Sequence, residues 1–154
     1  MVDALAVREI TALAMHNPKH IANIKNDSLK ETNERNQKMV ETLLEHYQAS
    51  QFLSARILDY LDKETVQLVP TDALEELLAL VPKKPFQVAC VHDAFFVLPN
   101  YGNDIRKLYI AQLAKVAKSN LLQFMLKGLL HKSIAIKEQN DMWKDVLNSE
   151  YALS

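Results

Sequence analysis

Val88-Ala89-Cys90-Val91-His92-Asp93-Ala94-Phe95-Phe96-Val97-Leu98-Pro99 sets two short apolar, β-prone stretches on either side of a His-Asp pair. The other segments of the chain read as helix. Short β-prone runs interrupted by a polar pair predict an antiparallel hairpin, with 86–92 and 94–98 as its strands and Asp93 at or beside its tip. A carboxylate between apolar strands is costly unless a partner or a metal ion neutralises it. Asp93 is therefore the first candidate functional residue.

A two-stranded hairpin is marginal in water on its own, and Val91, Phe95, Phe96 and Val97 call for burial on both faces. No other segment is a good strand candidate. Either long helices cover the hairpin, or a further strand comes from polypeptide outside this chain. The expected class is α+β and mostly helical, with long helices around one small antiparallel hairpin.

Working outward, the helical pattern is supported by a shortage of glycine, with only Gly102 and Gly128. Helical spacing of Leu5, Ile10, Leu13 and Ala14 predicts a helix over 2–15, ended by His16-Asn17-Pro18 because a residue before proline is pushed out of the α region. The stretch 21–36 is polar and ambiguous. A helical face drifts from about 28 to 61 with a break near Ala49-Ser50, and Pro70-Thr71-Asp72 opens a helix over 73–81 with Thr71 as its N-cap. After a turn at 100–103 a long helix is expected over 104–127, with Gly128 at its C′ position and a last helix over 139–147. Two regions follow, 1–85 helical and 86–154 built on the hairpin, within one compact unit.

The 154 residues, 49% hydrophobic and 24% charged, are enough for one domain with a real core. No apolar run approaches the roughly 20 residues of a membrane span, and the start Met-Val-Asp-Ala-Leu-Ala-Val-Arg-Glu lacks a basic region before an apolar core, so no membrane partner is expected. Cys90 stands alone, which fits a reducing, cytoplasmic compartment and a small core side chain. The net charge of -1 hides an asymmetry. Glu41 to Glu76 holds eight acidic residues against Arg56 and Lys63, whereas Asp104 to Lys137 holds seven basic residues against Asp104 alone.

Val91-His92-Asp93-Ala94-Phe95, between two apolar strands and followed by a long helix, resembles motif C of the single-subunit RNA polymerases of phages and mitochondria. The chain end, Asp145-Val146-Leu147-Asn148-Ser149-Glu150-Tyr151-Ala152-Leu153-Ser154, resembles that family's C-terminus, a helix closing in a Ser-acidic-aromatic tail. The two motifs agree in order and roughly in spacing, and the resemblance covers about 86–154, less than half of the chain. The sequence departs from the family at Ala94, where serine is usual, and at Phe96-Val97. Family A DNA polymerases commonly follow their His-Asp pair with glutamate, so Ala94 argues against that branch.

What the resemblance implies is a palm-type hairpin whose Asp93 holds catalytic Mg²⁺, with His92 beside it in a positioning role, and a tail carrying Tyr151 and Ser154 that folds back toward the active site. Arg106, Lys107, Lys115 and Lys118 become candidate phosphate contacts, alongside Lys127, Lys132 and Lys137. Two-metal nucleotidyl transfer needs carboxylates from more than one strand, because the ions lie about 3.5–4 Å apart and clamp both the attacking and the leaving oxygens. The family's second aspartate and its Lys/Arg/Tyr helix have no counterpart here. Arg35, Lys38, Met39 and Tyr47 do not match that helix in spacing. The implied protein is thus a C-terminal fragment or small subunit of a DNA-dependent RNA polymerase, inactive alone. It would work in transcription with the remaining polymerase polypeptide, DNA template, RNA product and nucleoside triphosphates, in the host cytoplasm if phage-encoded.

Other readings of the same residues stay open. His92-Asp93 fits a solvated turn, and the basic run fits an ordinary solvated face. The opposed charges at 41–76 and 104–137 fit a non-enzymatic helical interaction module. A His-Asp metal phosphohydrolase would carry its pair on helices with further histidines nearby. His16 and His20, four apart, suit a metal on one helix face, but Pro18 between them favours a helix start.

Overall fold

The computed structural model describes residues 2–92, 94–130 and 142–148. Helices dominate, with one small antiparallel sheet, so the class is α+β and mostly helical. The order is α1 (Val2–Ala14), α2 (Pro18–Lys25), α3 (Glu34–Ser50), two 3₁₀ turns (Ala55–Tyr60 and Thr65–Leu68) and α4 (Thr71–Leu80). Then come β1 (Ala89–Val91), β2 (Ala94–Phe96), a 3₁₀ turn (Pro99–Tyr101), α5 (Gly102–Lys118), α6 (Leu121–Leu130) and α7 (Met142–Asn148).

Local chemistry accounts for most boundaries. Asn17 caps α2 by accepting from the Lys19 and His20 amides, and Pro18 takes the first helical position, where its missing N–H is no loss. The polar, ambiguous stretch therefore contains a helix. The long pattern from about 28 to 61 is shorter as a helix than expected. Asn33 caps α3 through the Arg35 amide, and α3 stops at Gln51, whose φ of 56° is left-handed and whose N–H donates to the Tyr47 carbonyl at 2.7 Å. The break expected near Ala49-Ser50 is there. Thr71 is not the N-cap of α4 but its first residue. The Pro70 carbonyl already accepts from Leu74 N–H, which starts the helix one position earlier.

The long helix expected over 104–127 is two helices, and Gly128 lies inside α6 rather than at a C-terminus. The interruption is at Ser119, where the backbone turns extended. The Ser119 hydroxyl donates to the Val116 carbonyl at 2.9 Å and accepts from Leu121 N–H at 3.3 Å, offering the backbone a local alternative to the helix ladder. Asn120 N–H then donates to the Ser50 carbonyl at 2.8 Å, tying the break to the end of α3.

The main core joins both halves of the sequence. Ile10, Leu13, Val40, Ile57, Leu61 and Leu77 pack in one cluster with Phe86 and Leu108, and Phe86 N–H donates to the Ala14 carbonyl at 2.9 Å. A smaller cluster gathers Phe52, Val116 and Leu121 under the α5–α6 break. Glu9 is buried in α1, its carboxylate accepting from the Ser54 hydroxyl and the Ala55 amide, both at 2.5 Å. It caps the turn that follows α3.

Candidate functional site

β1 and β2 pair antiparallel in the register Ala89↔Phe96, Cys90↔Phe95 and Val91↔Ala94, the hairpin expected from the sequence but three residues long on each side. Only two residues join Val91 to Ala94. His92, the first of them, has φ of 55°, the left-handed geometry that two-residue hairpin connections use to match strand twist. Its side chain is exposed. Asp93 lies outside the described residues.

Directly opposed residues share a sheet face. Cys90 and Phe95 lie on one, and Phe95 meets Tyr109 of α5 edge-on at 5.8 Å between ring centroids. Ala89, Val91, Ala94 and Phe96 lie on the other, and all four are exposed. Val91 is 57% exposed, Phe96 56% and Leu98 65%. Helices thus cover one face of the hairpin and leave an apolar face bare. Cys90 is exposed, contrary to the expectation of a core side chain, because β1 is exposed along its whole length; its Sγ lies 4.0 Å from the Thr11 hydroxyl of α1.

The base of the hairpin is closed by Phe86 and Tyr101, whose rings stack at 4.7 Å between centroids and 9° between planes. The hairpin then runs into α5, which carries the predicted basic residues. Arg106 and Lys107 are exposed near its start. Lys118, about 17 Å further along at 1.5 Å per residue, is exposed and sits 5.5 Å over the Trp143 ring. Lys115 is drawn inward. Its Nζ donates to the Leu53 carbonyl and stands 4.6 Å over the Phe52 ring. Burial lowers its pKa to about 8 from 10.5, opposed by the nearby Glu9 and Glu76 carboxylates. The four basic residues therefore do not form one patch. Lys132, Lys137, Tyr151 and Ser154 lie outside the described residues.

The two histidines near the start of the chain are satisfied by carbonyls. His16 Nδ1 donates to Leu13 O at 2.8 Å and His20 Nε2 to Leu58 O at 2.8 Å, in keeping with a helix start. Burial raises the Asp59 pKa, opposed by His20 and Arg56. Among the described residues no three His, Cys, Asp or Glu side chains come together to hold a metal ion.

Sequence reasoning missed a groove of about 620 Å³ between the end of α3, α4, α5 and α7. Its walls include Tyr47, Leu53, Glu76, Leu77, Lys115 and Trp143. One signal points to Lys115: it lies seven residues after Leu108 and three after Gln112, on the face of α5 that faces inward.

Compared with known families and curated proteins, the chain matches no family model and no curated sequence. No helix among the described residues is long and apolar enough to cross a membrane.

Proposed function

We propose that this chain is the C-terminal fragment or small subunit of a phage-like, single-subunit-type DNA-dependent RNA polymerase, contributing Asp93 as one metal-binding carboxylate to two-metal nucleotidyl transfer. The observation that carries the reading is the hairpin: two strands joined through His92 and Asp93, one face on α5, the other apolar and bare. Such a face and its open strand edges suit a sheet completed by another polypeptide. The resemblance implies a hairpin, a long helix and a C-terminal helix in that order; the chain has the hairpin, two helices, α5 and α6, in place of the long one, and then α7. Mg²⁺ would be shared with carboxylates outside this chain, and the setting would be the cytoplasm, that of the host if the chain is phage-encoded.

The test is co-expression with a polypeptide bearing the family's other aspartate and its Lys/Arg/Tyr helix. The complex should form and synthesise RNA from template, nucleoside triphosphates and Mg²⁺, whereas this chain alone should not. RNA synthesis by the purified chain alone would overturn the reading.

A second reading, a non-enzymatic helical interaction module, draws on α6, where Leu122, Phe124, Leu129 and Leu130 are exposed. It predicts a stable complex in which Asp93 is dispensable. Phosphate ester hydrolysis by this chain alone would instead favour the phosphohydrolase.

A further inference from the structure

The groove between α3, α4, α5 and α7 combines features that the polymerase reading, which takes only Lys115 and Lys118 from it as candidate phosphate contacts, does not explain. Leu53, Leu77, Leu80 and Ala114 give it an apolar lining, and Tyr47 and Trp143 add aromatic surface. Its volume of about 620 Å³ lies within the range of small-molecule sites. Asp72 and Glu76 on α4 put two carboxylates on one wall and so disfavour an anionic ligand. From α5 comes an amine held in place by a carbonyl and an aromatic ring.

We propose that this groove binds a small, neutral, apolar aldehyde or ketone and holds it as an imine on the Lys115 ε-amine. The neutral amine adds to the carbonyl carbon, forming the C–N bond. The two hydrogens of the neutral amine pass to the former carbonyl oxygen, which leaves as water while the C=N bond forms, with no net oxidation.

Burial supplies the neutral amine. With its pKa lowered to about 8, Lys115 is roughly one-quarter unprotonated at pH 7.5, against about one part in a thousand for an ordinary lysine. Desolvation of an amine beside an apolar wall is a recognised route to a Schiff-base lysine. The charged groups around it are Glu9 from α1 and Glu76 from α4, which favour the protonated form, with Asp72 and Lys118 also on the groove walls. The bond to Leu53 O uses one N–H and leaves the nitrogen lone pair available.

The probe is benzaldehyde with sodium cyanoborohydride, which reduces an imine to a stable secondary amine, read by peptide mass mapping across pH 6–11. Lys115 should be labelled at least tenfold faster than the exposed Lys118 at pH 7.5, with a midpoint near pH 8. Glu76→Gln should move that midpoint down, because a carboxylate that favours the cation is gone. Ala73→Phe, which fills the groove, should slow labelling at Lys115 and leave the exposed Lys107, outside the groove, unchanged. The proposal is overturned if exposed lysines in the wild-type chain react as fast as Lys115, or if the Lys115 midpoint lies near 10.5. An Ala73→Phe chain with native circular dichroism and undiminished Lys115 labelling would also overturn it.

Discussion

Phe86 and Tyr101 lie face to face across the base of the hairpin, one ahead of β1 and the other after β2. The stack anchors both ends of a sheet too short to hold itself, since Phe86 is buried in the main core and bonded through its N–H to Ala14. Phe86→Ala should cost about 3–5 kcal/mol in urea unfolding, and Phe86→Leu markedly less. A cost for Phe86→Ala under 1 kcal/mol would show that the hairpin is anchored elsewhere.

Gln112 is 1% exposed, and neither of its amide atoms meets a hydrogen-bond partner among the described residues. A buried amide left unpaired costs about 1–3 kcal/mol. Gln112→Met, close in shape, is expected to raise the unfolding free energy by about 1–2 kcal/mol. A loss of stability would mean that the amide is satisfied in solution.

Glu9 holds the turn after α3 through two short bonds from a nearly inaccessible position. Glu9→Ala leaves the Ala55 amide unpaired and should cost about 2–4 kcal/mol, more than Glu9→Gln, which keeps an acceptor. Thermal melts of the two variants beside wild type decide it; equal losses would assign the effect to charge rather than to the bonds.

Lys115 makes a pH prediction. Its folded pKa of about 8 lies below the unfolded value near 10.5, so between those pH values the unfolded chain binds more protons. Stability then rises with pH. Relative to Lys115→Met, wild type should gain on the order of 2 kcal/mol from pH 7.5 to 10, read as the difference of two urea titrations. A constant difference across that window would mean that the amine titrates as an exposed lysine does.

Asp93→Asn separates a metal ligand from a turn residue. In the polymerase complex proposed above, kcat should fall on the order of 10²-fold or more, since electrostatic stabilisation of the transition state would be lost. The melting temperature should hold or rise, because asparagine carries no charge that needs a partner or a metal to neutralise it. Near-normal synthesis with a large drop in melting temperature would make Asp93 a structural residue. His92→Ala is expected to do less to kcat.

The hairpin was legible because its signal is local: apolar runs of the right length and a polar pair between them. Its register and the left-handed His92 agree with that pattern. The division of α5 from α6 was not legible, because apolar periodicity runs through Ser119, and the break depends on a Ser119 hydroxyl and an Asn120 bond to distant Ser50. Cys90 and Lys115 changed places for a similar reason. An apolar neighbourhood in sequence suggests a core cysteine, yet all three residues of β1 are exposed. A basic helix suggested a row of exposed cations, yet Lys115 falls on the face that packs inward. The groove depends on α4 and α7 meeting α5, a relation that sequence spacing does not encode.

The bare hairpin face sets a condition on how the chain can be handled. Edge strands with apolar side chains template further strands, and nothing in Ala89, Val91, Ala94 or Phe96 guards against a second hairpin doing the same. Held at high concentration without a companion, the polypeptide should add to itself edge to edge, and one charge placed at Val91 or Phe96 should restore a dispersed solution.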